Sequence, residues 1–159
     1  MSQDKVQGFV KPAVDRASPA GFLRRLGAAC YDALLLLAVW FFATALLLPL
    51  NGGEAFRSGQ WWFPLYLLAI SFLFYGWFWT HGGQTLGLKA WRLKLCGSSG
   101  RAIGWKQAAI RFCAAALSWA CFGLGFMWCL FDPEALAWHD RLSGTRLLHL
   151  PAEKPGSEK

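Results

Sequence analysis

Asp32 stands just inside the first long apolar run of the chain, seven residues after Arg25. Seven residues are about two helical turns, so on a helix the two side chains share a face. A carboxylate deep in a membrane helix costs about 2.5–3.5 kcal/mol on insertion scales, and such a group usually pairs or lines a pathway. Two chemistries fit. Asp32 is either a carboxylate that binds a proton or small cation, or half of an ion pair that fixes helix packing. Arg111 is the one formal charge within a later apolar region, Ala108–Phe131. Leaving either charge alone is unfavourable, so Asp32 and Arg111 are expected to pair within the bundle. If Arg111 instead snorkels to headgroups on its long stem, Arg25 is the next candidate.

The other polar signals are weaker. His139-Asp140 suggests a metal hydrolase only if further ligands arrive from distant segments. The simpler reading is that Asp140 caps a helix or holds Arg141. Gln84, Thr85 and Gly87, with Gly82 and Gly83, can cradle an anion, cap a helix through Thr85, or simply turn the chain. No Walker-type lysine-serine pair or nucleophile elbow occurs. The five cysteines show no CxxC and no paired spacing, and they read as small buried hydrophobes. These features predict no enzyme, no cofactor and no metal.

These residues must be positioned by membrane helices. Hydrophobic residues make up 55% of the 159 and charged residues 16%, short of the roughly 25% charge of a soluble domain. Leu26–Leu50 and Trp61–Trp79 read as spans, the second with Trp at both ends as an interfacial belt. Ala108–Phe131 reads as one span or as two short helices broken near Gly123-Leu124-Gly125, which is permitted only if protein covers the broken backbone. Residues 80–107 hold five bases and no acid, and the N-terminal segment holds five bases against Asp4 and Asp15. Both are therefore expected in the cytoplasm, with the 51–60 loop outside. Trp91–Leu95 alternates apolar and basic before the turn Gly97-Ser98-Ser99-Gly100, as a surface strand does. The resulting fold class is an all-α integral membrane bundle of three to four helices with a small cytoplasmic β-hairpin. Residues 1–21 and 151–159 are expected as flexible tails around a membrane domain over 22–150. The net charge of +7 flanks apolar runs instead of forming a stripe, which favours an anionic membrane surface over nucleic acid.

The chain also resembles the RDD family of small polytopic bacterial membrane proteins. Arg25-Leu26-Gly27-Ala28-Ala29-Cys30-Tyr31-Asp32 looks like the head of its first span. His81–Gly87 resembles its G-Q-T-x-G segment, Arg111 its basic residue opening the third region, and Trp138-His139-Asp140-Arg141-Leu142-Ser143-Gly144-Thr145 its closing motif. The stretch Asp132–Ala137 departs from the bases usual there. The resemblance implies a bacterial inner-membrane location and a closing strand, over Thr145–Leu150, that returns to Trp91–Leu95. It also implies transport, including sodium/proton exchange in some members. Two functions follow as expectations. One is a proton-coupled transporter of small cations with Asp32 as the coupling carboxylate. Three or four spans cannot enclose a path, so this version needs a homo-oligomer or a partner membrane protein. The other is an accessory protein that binds partner proteins or anionic lipid headgroups through its basic loop.

Overall fold

The computed structural model describes residues 17–56 and 59–151. Two long helices dominate. Helix α1 spans Phe22–Leu47 and runs into a 3₁₀ turn over Leu48–Asn51. Pro49 lacks the N–H that an α-helix needs, and Gly52 closes the turn in the left-handed region (φ 69°). Helix α2 spans Trp62–His81. Both are long and apolar enough to cross a bilayer. Their outer faces leave large apolar side chains uncovered, with Phe41 71% exposed and Leu46 77%. A soluble protein would bury such a face, so its natural solvent is lipid.

The third apolar region is bent. Helix α4 covers Trp105–Ala120, and after a break at residues 121–123 a short helix α5, Leu124–Met127, continues as a 3₁₀ turn over Trp128–Leu130. The two arms meet at 108°. Gly123 (φ 76°) and Phe122 (φ 55°) both take left-handed backbone there, and Gly123 does so without steric penalty. The break falls at the Gly123 end of the stretch where the sequence places it.

Between α2 and α4 lie the five-residue helix α3, Leu86–Ala90, and strand β2, Leu93–Gly97. After α5 come helix α6, Trp138–Ser143, and strand β3, Thr145–His149. Strand β2 pairs antiparallel with β3 from Leu93↔His149 to Gly97↔Thr145. The expected hairpin is therefore corrected. The partner of β2 is not its neighbour in sequence but a strand on the far side of the third region. A third strand, β1, Ser18–Pro19, joins the free edge of β3, giving the order β1-β3-β2. Residues 17–21 were expected in a flexible tail, yet Ser18–Pro19 form this strand and Ala20 is buried in the core, its N–H bonded to the Leu147 carbonyl; residues 1–16 and 152–159 lie outside the described residues.

The core sits where these pieces meet. Ala20, Ala28, Trp79, Leu88, Leu93, Leu95, Ile103, Ala108 and Leu147 form one buried cluster. They come from the start of α1 and the residues just before it, the end of α2, α3, the sheet, and the start of α4 with the loop leading into it. The molecule thus concentrates its protein-protein packing at one end of the helices, under the sheet, and leaves the rest of the helix surface to the bilayer.

Candidate functional site

Two buried carboxylates organise this end. The first is Asp32, one turn beyond Ala28 on α1 and 4% exposed. Thr85 donates its hydroxyl to Asp32 Oδ2 at 2.5 Å, and the Gly87 N–H donates to Oδ1 at 2.8 Å. Thr85 is also the N-cap of α3, where its Oγ1 accepts from the Leu88 N–H at 3.1 Å. An α-helix begins with N–H groups that lack intrahelical partners, and Asp32 satisfies one of these from a different helix. Gly87 is needed for the approach. A Cβ there would lie 2.7 Å from Asp32 Oδ1 and would strike the Ala28 carbonyl of α1. Gln84 serves the neighbouring strand, donating its amide to the Leu93 carbonyl at 2.7 Å.

The second carboxylate is Asp140, 0% exposed. Arg25 donates to Oδ2 and Arg111 to Oδ1, both at 2.5 Å. The Ala137 N–H donates to Oδ2 at 3.0 Å, so Asp140 also closes the first turn of its own helix α6. The two guanidiniums have further anchors. Arg25 donates to the carbonyls of Ala20 and Ala135. Arg111 donates to Thr145 Oγ1 at 2.7 Å and lies 5.3 Å from the centre of the Trp79 ring. One carboxylate thereby joins the heads of α1 and α4 to the α6–β3 segment.

The expected Asp32–Arg111 ion pair is corrected by this geometry. Arg111 turns to Asp140, and Asp32 is held by a hydroxyl and a backbone amide instead of a base. Arg25, the fallback partner for Asp32, also goes to Asp140. The helix-capping role allowed for Asp140 is present, but Arg141 pairs with Asp132 rather than with its neighbour.

The charges explain one another. Burial alone would push the Asp140 carboxyl up, but Arg111 and then Arg25 outweigh it and hold it below the usual carboxylate range. His139 is pushed down to about 3, first by burial and then by Arg111. It is therefore neutral near pH 7, and its 3.7 Å approach to Asp140 Oδ1 is proximity rather than an ion pair. Ser143 and Thr145 share a 2.7 Å hydroxyl contact beneath this group. Two cations on one anion leave a surplus positive charge, partly offset by the carbonyls of Ala20 and Ala135.

A family model for the RDD family matches residues 19–144. The chain belongs to the RDD family. With two helices long and apolar enough to cross a bilayer, it is a membrane protein of that family. No curated protein and no solved structure matches it. The RDD match takes in Arg25, Asp32, Thr85, Gly87, Arg111 and Asp140, so both buried clusters belong to the family's extent of chain. Thr145, which completes the Arg111 contacts, lies one residue beyond it.

Proposed function

We propose that this RDD protein is a non-catalytic, multi-pass protein of the bacterial inner membrane. Its buried polar clusters clamp a cap of short helices and strands onto the cytoplasmic ends of the spans. The cap is an accessory surface, presented to partner proteins or anionic lipids. The observation that carries this reading is the saturation of both carboxylates. Each oxygen of Asp32 and of Asp140 already accepts from a protein donor. Sites arranged this way resist separation of the helices they join. The five bases over residues 80–107, four between α2 and α4 and Lys106 on the first turn of α4, support a cytoplasmic cap.

A second reading is proton-coupled transport of a small cation, possible only in an oligomer. Asp32 favours it, as a carboxylate buried in a spanning helix with a hydroxyl at 2.5 Å. Reconstituted protein separates the two. On the clamp reading, liposomes containing the protein show no more cation-driven proton flux than empty ones, and Asp32→Asn changes stability only. Flux that is present in the wild type and abolished in a folded Asp32→Asn variant would transfer the assignment to transport. For sidedness, Ser98→Cys, in the exposed turn after β2, should resist an impermeant thiol reagent added to intact cells and react once the membrane is opened.

A further inference from the structure

We propose that Arg24, Arg92 and His149 form a binding site for the phosphate of an anionic phospholipid at the junction of α1 and the sheet. The proposal deepens the accessory reading by naming one ligand and one site.

The three groups come from three separate elements. Arg24 is on the first turn of α1, Arg92 precedes β2, and His149 ends β3. Both arginines are exposed, and among the described residues neither has an ion-pair partner. Arg24 lies one turn before Gly27 on α1, Trp91 packs on Gly27 with Arg92 next in the chain, and Leu93 pairs with His149 across the sheet, so packing and register set all three residues at one corner of the fold. Burial first, and then Arg24 and Arg92, hold His149 below its ordinary range. Guanidiniums brought to one corner with no ion-pair partner among the described residues gain from an anion between them.

The backbone at Arg92 is the second observation. Arg92 takes left-handed backbone, φ 53°, which is uncommon for a non-glycine residue and unfavourable for a long side chain. It holds this shape within an ordered frame. Its N–H bonds to the Lys89 carbonyl at 3.1 Å, and its carbonyl accepts from the Leu150 N–H at 2.8 Å. Glycine would fit without strain, so an arginine there is a strained residue whose side chain has a use.

The surroundings select a lipid over a free phosphate. Trp91 is 43% exposed and packs on Gly27 of α1, so closely that a Cβ at Gly27 would lie 2.6 Å from ring atom Cε2. Leu23 and Leu26 are exposed on the same part of α1. An indole, two leucines and two arginines at the head of a spanning helix match a headgroup with its acyl chains beside it.

The test uses the full chain purified in detergent with added phosphatidylglycerol or phosphatidylcholine, and retained lipid is counted by native mass spectrometry. Wild type should keep phosphatidylglycerol in preference. The double variant Arg24→Gln/Arg92→Gly should lose roughly tenfold or more in apparent affinity, as removal of two bases at a membrane surface implies. Its unfolding temperature should not fall, because glycine relieves the backbone at residue 92. The charge-matched variant Arg101→Gln/Lys106→Gln should behave as wild type. Equal phosphatidylglycerol retention by all three proteins would overturn the site, as would equal loss in both variants. Competition by inorganic phosphate at the same concentration would overturn the lipid assignment. These arms read binding in detergent, whichever side the cap occupies. The Ser98→Cys labelling reads sidedness alone, so failure of the accessory reading and failure of the site are told apart.

Discussion

Asp140→Ala is expected to lower stability by about 3–5 kcal/mol, the cost of stranding a buried charge when its partner is removed. Here two guanidiniums are stranded together. Arg25 retains the carbonyls of Ala20 and Ala135, and Arg111 retains Thr145, but no anion among the described residues replaces the carboxylate. The Ala137 N–H at the start of α6 also loses its acceptor. Against a typical total of about 5–15 kcal/mol, this is a large fraction. Unfolding in mild detergent by added denaturant, followed by tryptophan fluorescence, measures it. Adding Arg25→Gln to Asp140→Ala should restore part of the loss by removing one stranded cation. A double variant worse than the single one would contradict the clamp.

Acid should act in the same direction. The folded Asp140 carboxyl titrates below its unfolded value, so its contribution is present above the ordinary carboxylate range and is lost as pH falls through the lowered folded value. His139 adds to this earlier in the titration. Its unfolded imidazole takes a proton near pH 6.5 while the folded one waits until about 3, so stability declines as pH falls between those values.

Gly87→Ala is the second large effect. Its new methyl would meet the Ala28 carbonyl and the Asp32 carboxylate, with Oδ1 at 2.7 Å and Cγ at 2.8 Å. Neither obstacle is the free end of a flexible chain: one is helix backbone, and the other is fixed by Thr85. Overpacking of this kind costs about 1–3 kcal/mol, and separating α3 from α1 would also weaken the bond from the Gly87 N–H to Asp32. The expected loss is at the top of that range, measured by the same unfolding assay. A substitution of the nearby open position Gly82→Ala, where a Cβ meets nothing within 4 Å, should be nearly neutral and serves as the comparison.

The features carried by periodicity and composition were legible in the sequence. The long apolar runs became α1 and α2, with ends shifted by a few residues because Phe22–Arg25 continue the helix beyond the uncharged stretch. The pairing of the segment around Leu93 with that after Thr145 was also readable, though only through the family resemblance. What could not be read was the partner of Arg111. Depth along an apolar run is a one-dimensional quantity, and by depth Asp32 was the natural match. The true partner sits on a six-residue helix beyond a 108° bend, and neither the bend's direction nor the return of α6 beneath α4 is written in local sequence. The contact from Arg25 to Asp140 spans 115 residues. One usable clue was present: Asp32 lies on α1 at the level of a Gly- and Thr-containing segment able to supply neutral donors, which leaves Asp140 as the acid for two arginines.

The central claim is that Asp140, and not Asp32, is the anion that joins Arg111 to the rest of the clamp. Two double-mutant cycles on the detergent-purified protein, Arg111→Met with Asp140→Asn and Arg111→Met with Asp32→Asn, test it most directly. The account predicts a coupling on the order of 1–3 kcal/mol in the first cycle, since the side chains are in contact, and additivity within roughly 0.5 kcal/mol in the second. Additivity in the first cycle together with strong coupling in the second would contradict it.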